Sequence, residues 1–176
     1  MGHSRINITE GRDVIMKVFV GGSKAINTLD DTAKKILLSL YEKHYDILIG
    51  DCYGVDTAVQ GYFANFKYSQ IKIYASGNNV RNNLGGWSVC NVPVNDGVKG
   101  FEFYRQKDIE IANDADYGFM IWDKKSKGTF NNILDLIIWN KKVVLYIPDT
   151  GTIIETEEAL LDLIEDEWYD EIFKKM

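Results

Sequence analysis

The chain reads as an α/β protein built on a mainly parallel sheet of about five strands and closed by a C-terminal amphipathic helix. Three observations carry that reading. Short β-branched runs alternate with longer segments of helical period. Three of the apolar runs end in polar, glycine-bearing turns: Gly21-Gly22-Ser23-Lys24, Gly50-Asp51-Cys52-Tyr53-Gly54-Val55-Asp56 and Lys125-Ser126-Lys127-Gly128-Thr129. At 176 residues with 45% hydrophobic side chains, the chain has enough apolar material for one sizeable core. Residues 14–176 are expected to form one domain, and the polar residues 1–13 a flexible N-terminal segment.

The elements follow in order. Val14 to Val20 is β-branched and too short for a typical helix, and Gly21-Gly22 ends it as a strand. Thr28 is the expected N-cap of the first helix, with Asp31 as its capping-box-like partner and Ala33, Ile36, Leu37 and Leu40 as the apolar face. Asp46 to Gly50 is a second buried-type strand, and Val55 to Ala64 a helix that begins inside the glycine turn. Ile71 to Ala75 is a third strand, ended by Ser76-Gly77-Asn78-Asn79.

Val80 to Gly100 is rich in Asn and Gly, shows no clear period, and reads as a long loop, a candidate lid over one end of the sheet. Helical patterning resumes from Phe101 to about Asp116. Tyr117 to Trp122 is a fourth strand, Asn131 to Asn140 a helix, and Val143 to Ile147 a fifth strand closed by Pro148. Glu155 to Lys175 is an acidic helix with Leu160, Leu161, Ile164, Trp168 and Ile172 at helical spacing.

Composition narrows the function classes. With 26 acidic against 20 basic side chains the net charge is −6, which repels a nucleic-acid backbone. Two cysteines, Cys52 and Cys90, suit a reducing cytoplasm, and with His3 and His44 they offer no metal-ligand spacing. No apolar run approaches the roughly 20 residues that span a bilayer. The expectation is a cytoplasmic protein without cofactor, metal, membrane or nucleic-acid partner.

In an open parallel sheet, ligands bind outside the carboxyl ends of the strands, where the three turns would converge. Gly21 and Gly22 let backbone N–H groups approach an anion, with Ser23 and Lys24 as further donors; an ordinary strand-ending turn is the plain alternative. Gly50, Asp51, Gly54 and Val55 lead into a helix N-terminus that favours a phosphate, and Asp56 either caps that helix or holds a ribose hydroxyl. Gly77 follows the third strand and Asp123 the fourth. In the third turn Ser126, Lys127, Gly128 and Thr129 open the next helix, with Thr129 able to cap it, and Asn132 follows one turn later. Trp122 and Tyr53 can stack on a base or simply pack.

The order Val-Gly-Gly-Ser-Lys, Gly-Asp-Cys-Tyr-Gly-Val-Asp-Thr-Ala and Ala-Asp-Tyr-Gly-Phe-Met-Ile-Trp-Asp-Lys-Lys-Ser-Lys-Gly-Thr, spread over Val14 to Ile147, resembles the SLOG superfamily of Rossmann-like nucleotide-binding proteins. That superfamily includes the cytokinin-activating phosphoribohydrolases often mislabelled lysine decarboxylases, the Smf-type DNA-processing proteins and sensor domains for nucleotide-derived signals. Nucleoside 2-deoxyribosyltransferases look like more distant relatives. The resemblance implies a Rossmann-like three-layer sandwich, a homo-oligomer, and a pocket for a nucleotide or nucleotide sugar lined by Gly21, Gly22, Ser23, Lys24, Gly54, Asp56, Gly128 and Thr129.

One departure bears on chemistry. The phosphoribohydrolases carry Pro-Gly-Gly-x-Gly-Thr-x-x-Glu, and Asn132 stands at the position of that glutamate. An amide can hydrogen-bond a ribose but cannot ionise to stabilise an oxocarbenium-like transition state. An enzyme would need another carboxylate, and Asp108 is the leading choice, sharing a helix face with Tyr104 and Arg105; a solvated Arg105 and Asp108 pair is the plain alternative. Two functions follow: a binding or sensing domain for a nucleoside phosphate or an ADP-ribose-like molecule, or an N-glycosidic-bond hydrolase or transferase.

Overall fold

A computed structural model describes residues 14–173, and the side chains of residues 14–168. The expected flexible segment, residues 1–13, lies outside the described residues. The element order is β1 (Lys17–Gly22), α1 (Asp31–Glu42), β2 (Asp46–Gly50), α2 (Val55–Asn65), β3 (Ile71–Ser76), β4 (Ser88–Val92), α3 (Gly100–Asp114), β5 (Tyr117–Ile121), α4 (Lys127–Ile138), β6 (Lys142–Ile147), β7 (Thr152–Ile154) and α5 (Glu157–Phe173). The strands form one sheet in the order β4-β3-β2-β1-β5-β6-β7, parallel throughout except for the β6/β7 pair.

The fold is the expected α/β three-layer sandwich, with seven strands instead of about five. Both additions are edge strands. β4 pairs with β3 from Lys72↔Ser88 to Ser76↔Val92 and so runs through the segment read as a continuous loop. β7 is three residues that fold back on β6 after the turn at Gly151 (φ +65°). Edge strands bury one flank and one face at most, so their residues do not form the continuous apolar run that marks β1, β2 and β5.

Buried side chains sort onto the two faces. Val18, Val20, Ile47, Ile49 and Ile73 pack under α1 and α2 through Leu37, Leu40, Val59 and Phe63. Phe19, Leu48, Met120 and Leu145 pack on the other face under Ile111, Ile133, Leu136 and Leu160, from α3, α4 and α5. Alternation along each strand sends neighbouring residues to opposite helical layers. On α5 the stripe is only partly covered: Leu160 is buried, whereas Leu161 and Trp168 are exposed.

Three boundaries differ from the sequence expectations, each for a local reason. β1 begins later and runs through Gly22, because Gly21 and Gly22 keep pairing with Met120 and Ile121 of β5. The N-cap of α1 is Asp30 rather than Thr28; its carboxylate accepts from the Ala33 amide at 2.9 Å. Helix α4 opens at Lys127, four residues early, with Ser126 as N-cap instead of Thr129. Ser126 Oγ accepts from both the amide and the hydroxyl of Thr129, at 3.3 and 3.1 Å.

Candidate functional site

The chain winds outward from β1 to β4, then returns to place β5 on the other side of β1. The β1–α1 and β5–α4 connections therefore leave the carboxyl edge in opposite senses and open a crevice between them, the place where doubly wound sheets hold ligands. A cavity of about 290 Å³ lies there. Gly21, Gly22 and Lys24 line it from the end of β1, Asp56 from α2, Tyr104, Arg105 and Asp108 from α3, and Ser126, Gly128, Thr129 and Asn132 from α4. Residues from all three glycine turns thus share one wall with the helix face of Tyr104, Arg105 and Asp108.

The close approach of the turns depends on missing side chains. A Cβ on Gly22 would stand 2.2 Å from the carbonyl oxygen of Ile121 and 2.8 Å from Val55 Cγ2. A Cβ on Gly54, whose φ is +78°, would stand 2.3 Å from the carbonyl oxygen of Lys24. Gly22 and Gly54 therefore press β1, β5 and the start of α2 together.

Several candidates shape the crevice from behind. Ser23 is fully buried, and its hydroxyl donates to Asp123 Oδ1 at 2.9 Å. Asp123 Oδ1 also accepts from the amides of Lys125 and Ser126 at 2.9 and 2.8 Å. Burial alone would raise the Asp123 pKa, but these donors outweigh it and hold the carboxyl below its ordinary range. Asp51 is 1% exposed and accepts from the Arg81 guanidinium at 2.6 Å and the Arg81 amide at 2.9 Å. Val55 is buried and its amide donates to the Ser23 carbonyl at 3.3 Å. Gly77 turns toward Phe103, and Lys127 is exposed beside the crevice.

Gly50 also stands behind the wall, and its Cα faces the charge cluster. A Cβ there would meet Asp56 Oδ2 at 2.6 Å and Lys107 Nζ at 2.8 Å. Asp56 Oδ2 accepts from the Cys52 amide at 3.0 Å, and Lys107, 3% exposed, is salt-bridged to Asp108. Burial pushes the Asp56 carboxyl up to about 7; Lys107 opposes the shift and Asp108 adds to it. For Lys107 burial favours the neutral amine, but the carboxylates of Asp108, Asp56 and Asp51 prevail and raise its pKa. The Cys52 thiol is pushed up by burial and by Asp56, which removes thiolate character.

Arg105 is not a solvated partner of Asp108. One of its guanidinium nitrogens donates to both carboxylate oxygens of Asp135 at 2.8 Å, joining α3 to α4. Arg81 lines the cavity too, its guanidinium carbon 4.0 Å from the centre of the Tyr104 ring. Its loop is pinned by fully buried Gln60, whose amide donates to the carbonyls of Gly50 and Asn82 and whose Oε1 accepts from the Leu84 amide. The residues between β3 and β4 are therefore tied to the body at several points.

Arg81, Lys107 and Phe101 were not singled out from sequence. Arg81 sits in a stretch without periodicity and carries no motif. For Lys107 a signal existed: it falls one helical step from Tyr104 and Ile111, inside the face that meets the sheet. Trp122 is buried and stacked on Phe130, with centroids 5.7 Å apart, and Tyr53 is 55% exposed outside the cavity wall.

Among the described residues, the buried side-chain polar atoms without a hydrogen-bond partner are Arg81 Nε, Arg105 Nη1 and Asn132 Oδ1. All three residues line this one cavity. Two are donors suited to an anionic oxygen, and the third is an acceptor suited to a hydroxyl or amine. Among the described residues no helix is long and apolar enough to cross a membrane, and no group of three His, Cys, Asp or Glu side chains could hold a metal ion. Comparison with protein-family models finds no match to this chain, and comparison with curated proteins finds none either.

Proposed function

We propose that the chain binds a nucleotide or nucleotide-sugar-derived small molecule, a nucleoside phosphate or an ADP-ribose-like compound, as a binding or sensing domain. The observation that carries this reading is that three residues lining the cavity at the β1/β5 switch point, Arg81, Arg105 and Asn132, each hold a buried polar atom without a hydrogen-bond partner. Leaving such atoms unpaired is costly, so a ligand that presents anionic oxygens to the arginines and a ribose hydroxyl to Asn132 is selected over one that cannot. The amides at the start of α4 have no intrahelical acceptor and add a positive end to the same wall. The reading extends to a cytoplasmic homo-oligomer, for which exposed Ile138 and Trp139 offer apolar surface.

The test is calorimetric titration with nucleoside mono- and diphosphates and ADP-ribose. Saturable binding by one of them, lost on Arg81→Ala, is the expected outcome. No binding by any of them, at ligand concentrations up to the millimolar range, would sink the reading.

A specific observation favours a second reading, N-glycosidic-bond hydrolysis or transfer. Asp56 and Asp108 line the same cavity, one with its carboxyl poised near neutrality by burial and the other salt-bridged to Lys107. Glycosidic cleavage uses two carboxyl groups in different protonation states. Release of free base from a nucleoside monophosphate, abolished by Asp108→Asn and by Asp56→Asn, would favour this reading over pure binding.

A further inference from the structure

A second cavity adjoins the first. It encloses about 180 Å³ between α4 and α5; the two cavities lie on opposite faces of α4, and the N-cap residue Ser126 lines both. Its wall is aromatic: Trp122 and Phe130 stack at 25° between ring planes, and Trp168 of α5 faces the same space while remaining 56% exposed. Lys125 and Lys127 stand exposed among its lining residues, and the Lys124 ammonium, 2.8 Å from Glu167, fastens α5 to the β5–α4 connection.

We propose that this cleft is a second subsite of the nucleotide site, and that the ligand is a dinucleotide. One nucleoside half occupies the β1/β5 crevice, the phosphates cross the first turn of α4, and the second base enters the cleft against Trp168 and the Trp122/Phe130 pair. The inference rests on the nucleotide reading above and goes further in fixing the class of ligand. Four features argue for this occupant over an apolar one. The cleft and the crevice share Ser126, at the start of α4, as a lining residue. That shared residue is the N-cap of α4, and a helix N-terminus favours phosphate. Its lysines match the negative charge of a phosphate linker. A flat aromatic wall suits a base of any identity, since every base has a π-face. An isolated exposed tryptophan would need no explanation, but one that closes a cleft of aromatic and cationic residues beside a second cavity has a use.

The test compares affinities for AMP, GMP, CMP and UMP with those for the symmetrical dinucleoside diphosphate of each, in the full chain and in Trp168→Ala. Trp168 is exposed, so the variant is expected to fold, which circular dichroism verifies. The expected result is that the dinucleotide of the preferred base binds at least about tenfold more tightly than its mononucleotide, the scale of one stacked base. Trp168→Ala should remove that advantage and leave mononucleotide affinity unchanged. Equal affinity for the two ligands, or an advantage that Trp168→Ala leaves intact, overturns the second subsite while the nucleotide reading stands. Failure of every mono- and dinucleotide to bind overturns both.

Discussion

Ser23 and Asp123, 100 residues apart, hold each other reciprocally: the serine hydroxyl donates to Asp123 Oδ1 at 2.9 Å, and the Asp123 amide donates to Ser23 Oγ at 3.0 Å. This pair locks the end of β1 to the end of β5, and it is the hinge on which the crevice is built. Asp123 then passes the constraint on to α4 through the Lys125 and Ser126 amides.

Asp123→Ala removes three accepted hydrogen bonds and leaves buried Ser23 without its acceptor, a loss of about 1–3 kcal/mol. Because the folded-state pKa of Asp123 lies below its ordinary value, its contribution is present at neutral pH and disappears as the pH falls through the folded value. Urea denaturation at pH 7 should show the full difference between variant and parent, and the difference should shrink under acid. An equal gap at both pH values would contradict the assignment.

Gly54→Ala meets two penalties at once. The backbone there has φ +78° and ψ −127°, which side chains rarely adopt, and the new methyl would press on the Lys24 carbonyl. The combined cost is about 3 kcal/mol or more, read as a lowered midpoint of thermal or denaturant unfolding. A neutral Gly54→Ala would mean that the β1–α1 and β2–α2 turns are not packed as described.

Asp56 should make stability fall with rising pH. Its carboxyl titrates near 7 when folded against an ordinary 3.8, so the native state binds the extra proton between those values. With more protons bound in the native than in the unfolded state, stability declines from about pH 4 and levels off above about pH 7. Asp56→Asn keeps an oxygen for the Cys52 amide and removes the titration. Denaturation profiles across that range should lose the decline attributable to Asp56, leaving the variant relatively more stable above pH 7.

Asn132→Ala separates binding from folding. The Oδ1 atom makes no internal hydrogen bond, so its removal takes no polar contact from the folded chain, and the expected stability change is within about 1 kcal/mol. Ligand affinity should drop by about tenfold, the worth of one lost hydrogen bond to a bound hydroxyl. Calorimetry and thermal unfolding on the same preparation decide the matter; unchanged affinity would detach Asn132 from the site.

Much of the architecture is legible in the sequence. β2, α2 and β3 stand within a residue or two of their expected bounds, because buried parallel strands are continuous apolar runs and the turns that end them carry glycine. β4 was not readable, because Ser88 to Val92 is a half-exposed edge strand among Asn and Gly residues. The early start of α4 was hidden by Gly128 and Thr129, poor helix formers whose place is secured by the Ser126 cap. Arg81 was invisible for a different reason: its place at the cavity is set by Asp51 and by the Tyr104 ring, neither of them near it in sequence.

The layered α/β class and the positions of the three turns are legible in the sequence, because period and turn chemistry are properties of neighbours along the chain. What each turn residue does is set by packing between distant segments. Ser23, Asp51 and Asp123 fall behind the wall as braces, while Arg81 and Lys107 come forward to join Asp56, Arg105 and Asn132. Burial, pairing and the shifted titration of Asp56 arise between segments brought together by packing, and no local pattern encodes them.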